Sequence, residues 1–379
     1  MKIVFVSNFL NHHQIAFCDA LKKRCNEFYF IATQDIENIG YQKAVNAEYV
    51  VKYYSVEERK KAEELIISAD AVIFGACPNE LIAKRMSEDK LSFLFSERFL
   101  KKGLWRRFIP RTRRAIQNRI VKHYNKDIYA LCSSAYLPYD LSFFGFSSDK
   151  CLKWGYFPET RKYGDIYELL GKKKKASILW VGRLIELKHP ETAVLLARYL
   201  KKQGYDFCVN IIGGGPLEAK LRKLIRKYKL EECVQMLGEM PPERVRDYME
   251  ESEIFLFTSD RHEGWGAVLN EAMNSGCSVV ASHMIGSVPF LITDMKNGLI
   301  YKNGCLSSLF EKVKYLLDNP NIRRELGENA YQTIVNQWNA ENASERLCSI
   351  IENFYNSDMK FYSDGVASRL DVIKENWYR

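Results

Sequence analysis

Glu263-Gly-Trp-Gly-Ala-Val-Leu-Asn-Glu271 follows the apolar run Ile254-Phe-Leu-Phe-Thr258. The run reads as a buried strand. Gly264 and Gly266 mark a turn in which backbone passes close to something else. Ala267 to Ser275 reads as a helix that Gly276 stops. Strand, glycine turn and helix in that order are the unit of a parallel sheet with crossover helices, so this stretch points to an α/β fold. Glu263 then falls in the strand-to-helix loop, and Glu271 lies just over one turn inside the helix. Both can face one ligand over the helix N-terminus, where exposed N–H groups favour an anionic phosphate. Carboxylates beside a sugar accept hydrogen bonds from hydroxyl pairs, so one suits a hexose and the other a ribose. The same two residues also fit an acidic cap and a solvated helix glutamate.

The neighbouring segments shift that balance. Ser177-Ile-Leu-Trp-Val-Gly-Arg-Leu-Ile-Glu-Leu-Lys188 is a strand that ends in Gly182-Arg183, with a second cation five residues on. Arg183 and Lys188 can both reach a diphosphate at the strand end. Val209-Asn-Ile-Ile-Gly-Gly-Gly-Pro216 is a strand running into a glycine turn and a helix start. Gly213-Gly214-Gly215 is not the dinucleotide fingerprint, because Glu218 stands where that pattern has its third glycine.

Together, residues 177–302 resemble the C-terminal domain of retaining glycosyltransferases of family 4, a GT-B group that uses nucleotide sugars. The resemblance implies two Rossmann-like doubly wound domains facing across a cleft. It implies that Arg183 and Lys188 meet the leaving diphosphate, that Glu263 holds donor-sugar hydroxyls, and that Glu271 holds the ribose. Gly182, Gly213, Gly214, Gly215, Gly264, Trp265, Gly266, Ala267 and Val268 would complete the donor site, largely through backbone N–H groups. Trp265 stands where the family often has phenylalanine, so its side chain is expected to pack. Asn270 stands where the family has an apolar residue. It either tunes the donor pocket or faces water, and water is the favoured expectation.

The remainder of the chain fits two domains. At 379 residues it exceeds the usual size of one. Strand patterns at Lys2–Ser7, Phe28–Ala32, Ala71–Gly75, Leu91–Phe95, Ile128–Ser133 and Cys151–Tyr156 alternate with helical ones at Ile15–Arg24, Val56–Ser68 and Asn79–Ser87. The alternation repeats from Ile178–Val181 through Phe207–Ile212, Val234–Leu237, Ile254–Thr258, Ser278–Ala281 and Leu299–Tyr301. The expected division is an acceptor domain over 1–157, a polar linker over 158–176, a nucleotide-sugar domain over 177–354, and a segment 355–379 returning to the first domain, with Ala367–Trp377 as its helix. Ten scattered cysteines show no metal spacing and read as reduced thiols of a cytosol. Met1–Ser7 begins a strand and not a leader, and no apolar run is long enough to cross a membrane.

In the first domain, the family generally has a glycine-rich loop after the first strand. This chain has Ser7-Asn-Phe-Leu-Asn-His-His-Gln14 there. His12 and His13 can contact a phosphate or acceptor hydroxyls. They equally fit a helix start capped by Asn11 with exposed rings. Glu97 ends the strand Leu91-Ser-Phe-Leu-Phe-Ser, near where related enzymes carry His or Asp, so it is a catalytic candidate. An ion pair with Arg98 is its structural alternative.

Arg98 to Lys126 holds eleven Lys and Arg and no Asp or Glu. Aromatic and aliphatic residues interleave with them. Such a segment suits an anionic membrane surface. Nucleic acid is the rival partner, and none is expected because no nucleic-acid module accompanies the patch. A solvated helix face is the third reading.

The expectation is a retaining glycosyltransferase that moves a sugar from a nucleoside diphosphate sugar to a saccharide or lipid-linked acceptor. No loop carries an Asp-x-Asp pair, so no metal and no cofactor are expected. Ala130-Leu-Cys-Ser-Ser-Ala-Tyr136 and Lys153-Trp-Gly-Tyr-Phe-Pro158 also resemble bacterial capsule and lipopolysaccharide transferases; the thiols and the basic segment together lead to the expectation of a cytoplasmic enzyme peripheral at the inner membrane face. Front-face attack and double displacement both remain open. The alternatives are a GT-B nucleotide-sugar epimerase and a non-catalytic protein of the same fold that binds nucleotide sugar.

Overall fold

The computed structural model describes residues 1–35, 47–358 and 360–378. They group into two compact units, Met1–Glu159 with Trp338–Lys374, and Thr160–Gln337 with Glu375 onward. Unit 1 carries β1 (Lys2–Ser7), β2 (Glu27–Ala32), β3 (Val50–Lys52), β4 (Ala71–Phe74), β5 (Ser92–Ser96), β6 (Ile128–Cys132) and β7 (Cys151–Lys153). Unit 2 carries β8 (Lys174–Val181), β9 (Cys208–Ile212), β10 (Val234–Gly238), β11 (Ser252–Phe257), β12 (Ser278–Ser282) and β13 (Leu299–Tyr301).

All pairings among these strands are parallel, in the orders β3-β2-β1-β4-β5-β6-β7 and β10-β9-β8-β11-β12-β13. Strands buried on both faces read as continuous apolar runs, and Ile178, Leu179 and Trp180 in β8 and Ile254 to Phe257 in β11 are all buried. The α/β reading with two doubly wound sheets holds. Each order reverses once, between β1 and β4 and between β8 and β11. Loops leaving the C-terminal ends of such strands diverge and leave a crevice for ligands.

The boundaries differ from the sequence expectation in three places. The expected linker 158–176 contains the helix Ile166–Lys172, capped by Asp165, and the first residues of β8. Its polar composition hid this because Lys173 is a structural cation: its ammonium donates to the carbonyls of Met249 (2.9 Å), Ser252 (2.8 Å) and Ser275 (2.8 Å). The chain rejoins unit 1 at Trp338, not at 355, through the helix Ala340–Tyr355, which packs on the helix His12–Arg24. Arg24 donates to Ser344 Oγ (3.1 Å) across that contact.

No helix forms over 367–377. The backbone there runs antiparallel to β7 instead: Ala367 donates to Lys153 (2.7 Å), Lys153 to Ser368 (2.8 Å) and Leu370 to Cys151 (3.0 Å). An edge strand's unpaired N–H and C=O groups attract such an addition.

Candidate functional site: the loops at the strand ends

In unit 2, the loops after β8, β9 and β11 are knitted to one another. Leu184 N–H donates to Gly214 O (2.7 Å), Leu217 N–H to Leu184 O (3.0 Å) and Gly182 N–H to Ile212 O (3.0 Å). The glycines permit this approach. Gly213 has φ +132°, and a Cβ there would lie 1.9 Å from Gly182 O. Gly215, at φ +148°, would put a Cβ 2.7 Å from Leu184 O. Loop-on-loop packing therefore accounts for the glycine turn. Arg183 projects from this knot, exposed, and no described residue accepts a hydrogen bond from it.

Lys188 and Glu263, assigned separately from the sequence, meet in an ion pair between Nζ and Oε2, with side chains only 15% and 13% exposed. Ser259 Oγ donates to the same carboxylate oxygen (3.0 Å). The pair sits where the β8 and β11 loops touch. Thr258 Oγ1 donates to Lys188 O (2.6 Å), and Asp260 N–H to Leu187 O (3.0 Å). Trp180 Nε1 bonds Thr258 Oγ1 from below (2.8 Å).

The turn into the helix Val268–Asn274 is held from inside. Trp265 is fully buried; its Nε1 donates to Asn270 Oδ1 (2.9 Å), and its carbonyl accepts from Ser287 Oγ (2.6 Å). Gly266, at φ +79°, leaves no room for a Cβ, which would lie 2.2 Å from the Phe257 ring. Packing was the expected role of Trp265. Asn270, however, does not face water: it is 1% exposed, because its amide serves the indole. No backbone carbonyl among the described residues accepts from the N–H groups of Gly266, Ala267 or Val268.

Glu271 is partly buried, and no described side chain hydrogen-bonds its carboxylate. Burial pushes its pKa up to about 7, against the pull of Arg246 and Arg161. A carboxylate held at that cost without a partner is a candidate ligand group.

The sequence reading missed a second cluster beside the first. His189 follows Lys188 in left-handed conformation, φ 49° and ψ 52°. Its Nε2 lies 3.1 Å from Asp260 Oδ2 and its Nδ1 3.4 Å from Glu191 Oε1. Asp260 also takes the ring of His262 (2.8 Å). Only the adjacency of His189 to Lys188 could have flagged it. An open cavity of about 630 Å³, lined by Ile185, Leu187, Pro216, Asp260 and His262 among others, lies alongside.

In unit 1, Asn11 caps the first helix, accepting from His13 N–H (3.1 Å). The His12 and His13 rings lie 3.7 Å apart. Glu97 pairs with Lys101 (3.0 Å) and not with Arg98, whose buried guanidinium bonds Asp140 (2.8 Å). Tyr156, another residue not singled out, joins the candidates: its ring is 6.3 Å from His13, and burial together with the Glu97 charge raises its pKa. His13, Tyr156 and Glu97 thus share the C-terminal edge of the unit 1 sheet.

The basic segment is only partly a surface. Arg98, Lys101, Arg119 and Lys126 are engaged within the fold, Arg119 by the carbonyls of Gly75 and Cys77 and by Asn79. Leu100, Ile116 and Ile120 are buried. Trp105 and Phe108 are 61% and 69% exposed on a 3₁₀ turn over Leu104–Phe108. Residues three apart eclipse in such a turn, so the two rings share one edge. Lys102, Arg111, Arg113 and Arg114 are exposed near them in the chain.

Residues 166–333, all within unit 2, match the family described as "Glycosyl transferases group 1". The match takes in most of unit 2. The chain is 39% identical over 137 residues to the amylovoran biosynthesis glycosyltransferase AmsK of Erwinia amylovora, covering 35% of this chain and 33% of that protein. It is 30% identical over 182 residues to a putative colanic acid biosynthesis glycosyltransferase, WcaL, of Escherichia coli, covering 46% and 44%. The chain thus spans a third to under half the length of these relatives. Among solved structures, Anabaena HepE in complex with UDP superposes with a TM-score of 0.68 at 13% identity, over 93% of this chain and all of that one. Sucrose-phosphate synthase of Thermosynechococcus elongatus gives 0.65 at 14% identity, over 94% and 100%. These likenesses establish the GT-B fold for the chain.

Proposed function

We propose that this protein is a retaining glycosyltransferase of the family 4 type. It moves a hexosyl or related unit from a nucleoside diphosphate sugar to a saccharide acceptor, carried on a lipid, in the building of a capsule or lipopolysaccharide. The observation that carries the reading is the Lys188–Glu263 ion pair where the loops after β8 and β11 touch, with the uncommitted Arg183 on the first loop and, on the helix after the second, a Glu271 carboxylate that no described side chain hydrogen-bonds.

Transfer requires stabilising negative charge on the departing diphosphate and positive character at the anomeric carbon. Arg183 offers a planar fork for phosphate oxygens, and Lys188 a point charge five residues on in the same loop. Glu263 faces the donor-sugar hydroxyls while keeping Lys188 in place. Glu271 accepts from the ribose hydroxyl pair, which supplies the partners its carboxylate lacks. The free N–H groups of Gly266, Ala267 and Val268 extend the donor site. Two cations meet the phosphate charge without a metal. His12, His13, Tyr156 and Glu97 contact the acceptor on unit 1.

The exposed Trp105–Phe108 edge, with its neighbouring cations, docks on the anionic cytoplasmic face of a membrane. Aromatic rings favour the headgroup layer, and each Lys or Arg near such a surface contributes about 1 kcal/mol. Among the described residues no helix is long and apolar enough to cross a membrane.

A thermal-shift screen against uridine and guanosine diphosphates and their sugars tests the donor reading. Binding to the folded state alone raises stability by about 2.7 kcal/mol at a ligand concentration of 100 Kd. One diphosphate raising the melting temperature of wild type, and raising that of Glu271→Gln less, supports it. No shift with any nucleotide overturns it.

A further inference from the structure

We infer that His189 is a positioning residue for the Lys188–Glu263 pair: as an imidazolium bridging Glu191 and Asp260, it fixes the loop carrying Lys188 against the loop carrying Glu263. This rests on the proposed role of that pair.

The geometry requires the cation. Both ring nitrogens of His189 face carboxylate oxygens, Nε2 to Asp260 (3.1 Å) and Nδ1 to Glu191 (3.4 Å). Ionised carboxylates only accept hydrogen bonds, and a neutral imidazole donates from one nitrogen alone, so both contacts are satisfied only in the doubly protonated ring. Consistently, the two carboxylates raise the His189 pKa to about 9. The facing groups come from three other places in the chain. Asp260 and His262 lie on the β11 loop, Glu191 opens the helix Glu191–Lys202, and Lys220 of the helix Glu218–Lys227 acts on Glu191.

The backbone supports the same conclusion. His189 holds a left-handed conformation that a non-glycine residue adopts at a cost, and such a conformation persists where its surroundings over-determine it. Glycine would make the turn without strain, so the ring is what the position supplies. Its Nε2 contact joins the stretch 187–191 to Asp260, its Nδ1 contact to Glu191 holds the ring from within that stretch, and Thr258 and Asp260 already bond the carbonyls of Lys188 and Leu187. Lys188 is the residue immediately before the clamp, and Glu263 lies three residues beyond Asp260. Asp260 itself is divided, one oxygen to His189 and the other to His262, and its pKa is held down to about 2.

The substitutions that separate backbone from side chain are His189→Gly, which keeps the left-handed turn and removes the clamp, and His189→Asn, which tolerates the turn and keeps one donor. Three readings are taken on the whole 379-residue chain: the His189 ring titration by NMR, the melting temperature from pH 6 to 10.5, and nucleotide affinity beside turnover. The expected results are a ring titrating well above 6.5 and a stability advantage of wild type over His189→Gly that shrinks as pH rises through about 9. In His189→Gly, turnover should fall on the order of ten- to a hundredfold with nucleotide affinity nearly intact, because the reacting groups are misplaced. His189→Asn should recover part of the loss.

A ring titrating at its ordinary value, or a glycine variant with wild-type turnover and an unchanged pH profile, overturns the inference. So does a loss of nucleotide affinity equal to the loss of turnover, which marks a merely structural residue. The NMR and melting arms need no turnover. A wild type that passes both and transfers no sugar with any donor defeats the proposed function while the clamp stands.

Discussion

Replacing Glu271 by glutamine should make the protein more stable above pH 7 and weaken its hold on nucleotide. The carboxyl rises from an ordinary value of 4.5 to about 7, chiefly through burial. At about 1.36 kcal/mol per pK unit, that displacement costs the ionised folded form roughly 3 kcal/mol. The sign follows from proton counting. Between pH 4.5 and 7 the folded state holds a proton that the unfolded chain has released, so stability falls as pH rises through that window and the full cost is present above 7. Glutamine keeps the shape and carries no charge to desolvate. Unfolding of unit 2 at pH 8 should therefore move up by roughly 6–12 °C, at about 2–4 °C per kcal/mol for a domain of this size. At pH 4.5 or below the two proteins should nearly coincide. In the same variant nucleotide affinity should drop roughly ten- to a hundredfold, the worth of a hydrogen bond to a charged acceptor. Calorimetric melting at pH 8 and pH 4.5, with and without nucleoside diphosphate, reads both effects. A variant less stable than wild type at pH 8, or equally stable with undiminished nucleotide stabilisation, refutes the reasoning.

Arg183→Ala should lower turnover more than donor affinity, because leaving-group charge grows in the transition state; an unchanged kcat at saturating donor removes Arg183 from that role. Activity should survive EDTA, and full loss restored by manganese or magnesium would contradict a diphosphate met by Arg183 and Lys188 alone. Charge reversal of Lys102, Arg111, Arg113 and Arg114, or Trp105→Ser with Phe108→Ser, should abolish sedimentation with anionic vesicles at low salt and leave nucleotide affinity intact; a protein that prefers duplex nucleic acid at matched salt has the other partner. Gly213→Ala should destabilise unit 2 by several degrees in a melting experiment, since a Cβ there would overlap the Gly182 carbonyl at 1.9 Å, and an unshifted melting temperature would show that the loops separate freely.

The parallel sheets were legible because buried strands such as Ile254–Phe257 are continuous apolar runs punctuated by glycine turns. What escaped was short, edge-bound or paired at long range. The strand Val50–Lys52 is three residues and carries too little pattern. The segment 366–370 takes its shape from the open edge of β7 and not from its own composition. Lys173 looked like part of a solvated lysine run and is instead surrounded by carbonyls from two other stretches, 249–252 and Ser275. At the candidate site, Arg183, Lys188, Glu263 and Glu271 were singled out from strand-end position, spacing and the family resemblance. That Lys188 and Glu263 bond one another was not, since nothing local links residues 75 apart. His189, Asp260 and Tyr156 escaped for the same reason, and Asn270 was misread because its indole partner is invisible in a helical pattern.

The most direct test is transfer itself. Purified protein is incubated with a panel of nucleoside diphosphate sugars and a lipid-linked saccharide acceptor, while nucleoside diphosphate release is counted and the new glycosidic linkage is read by NMR. The account predicts one diphosphate released per sugar transferred, the anomeric configuration of the donor preserved in the product, and both signals lost in Arg183→Ala. Nucleotide binding without release from any donor, or a product of inverted configuration, would contradict it.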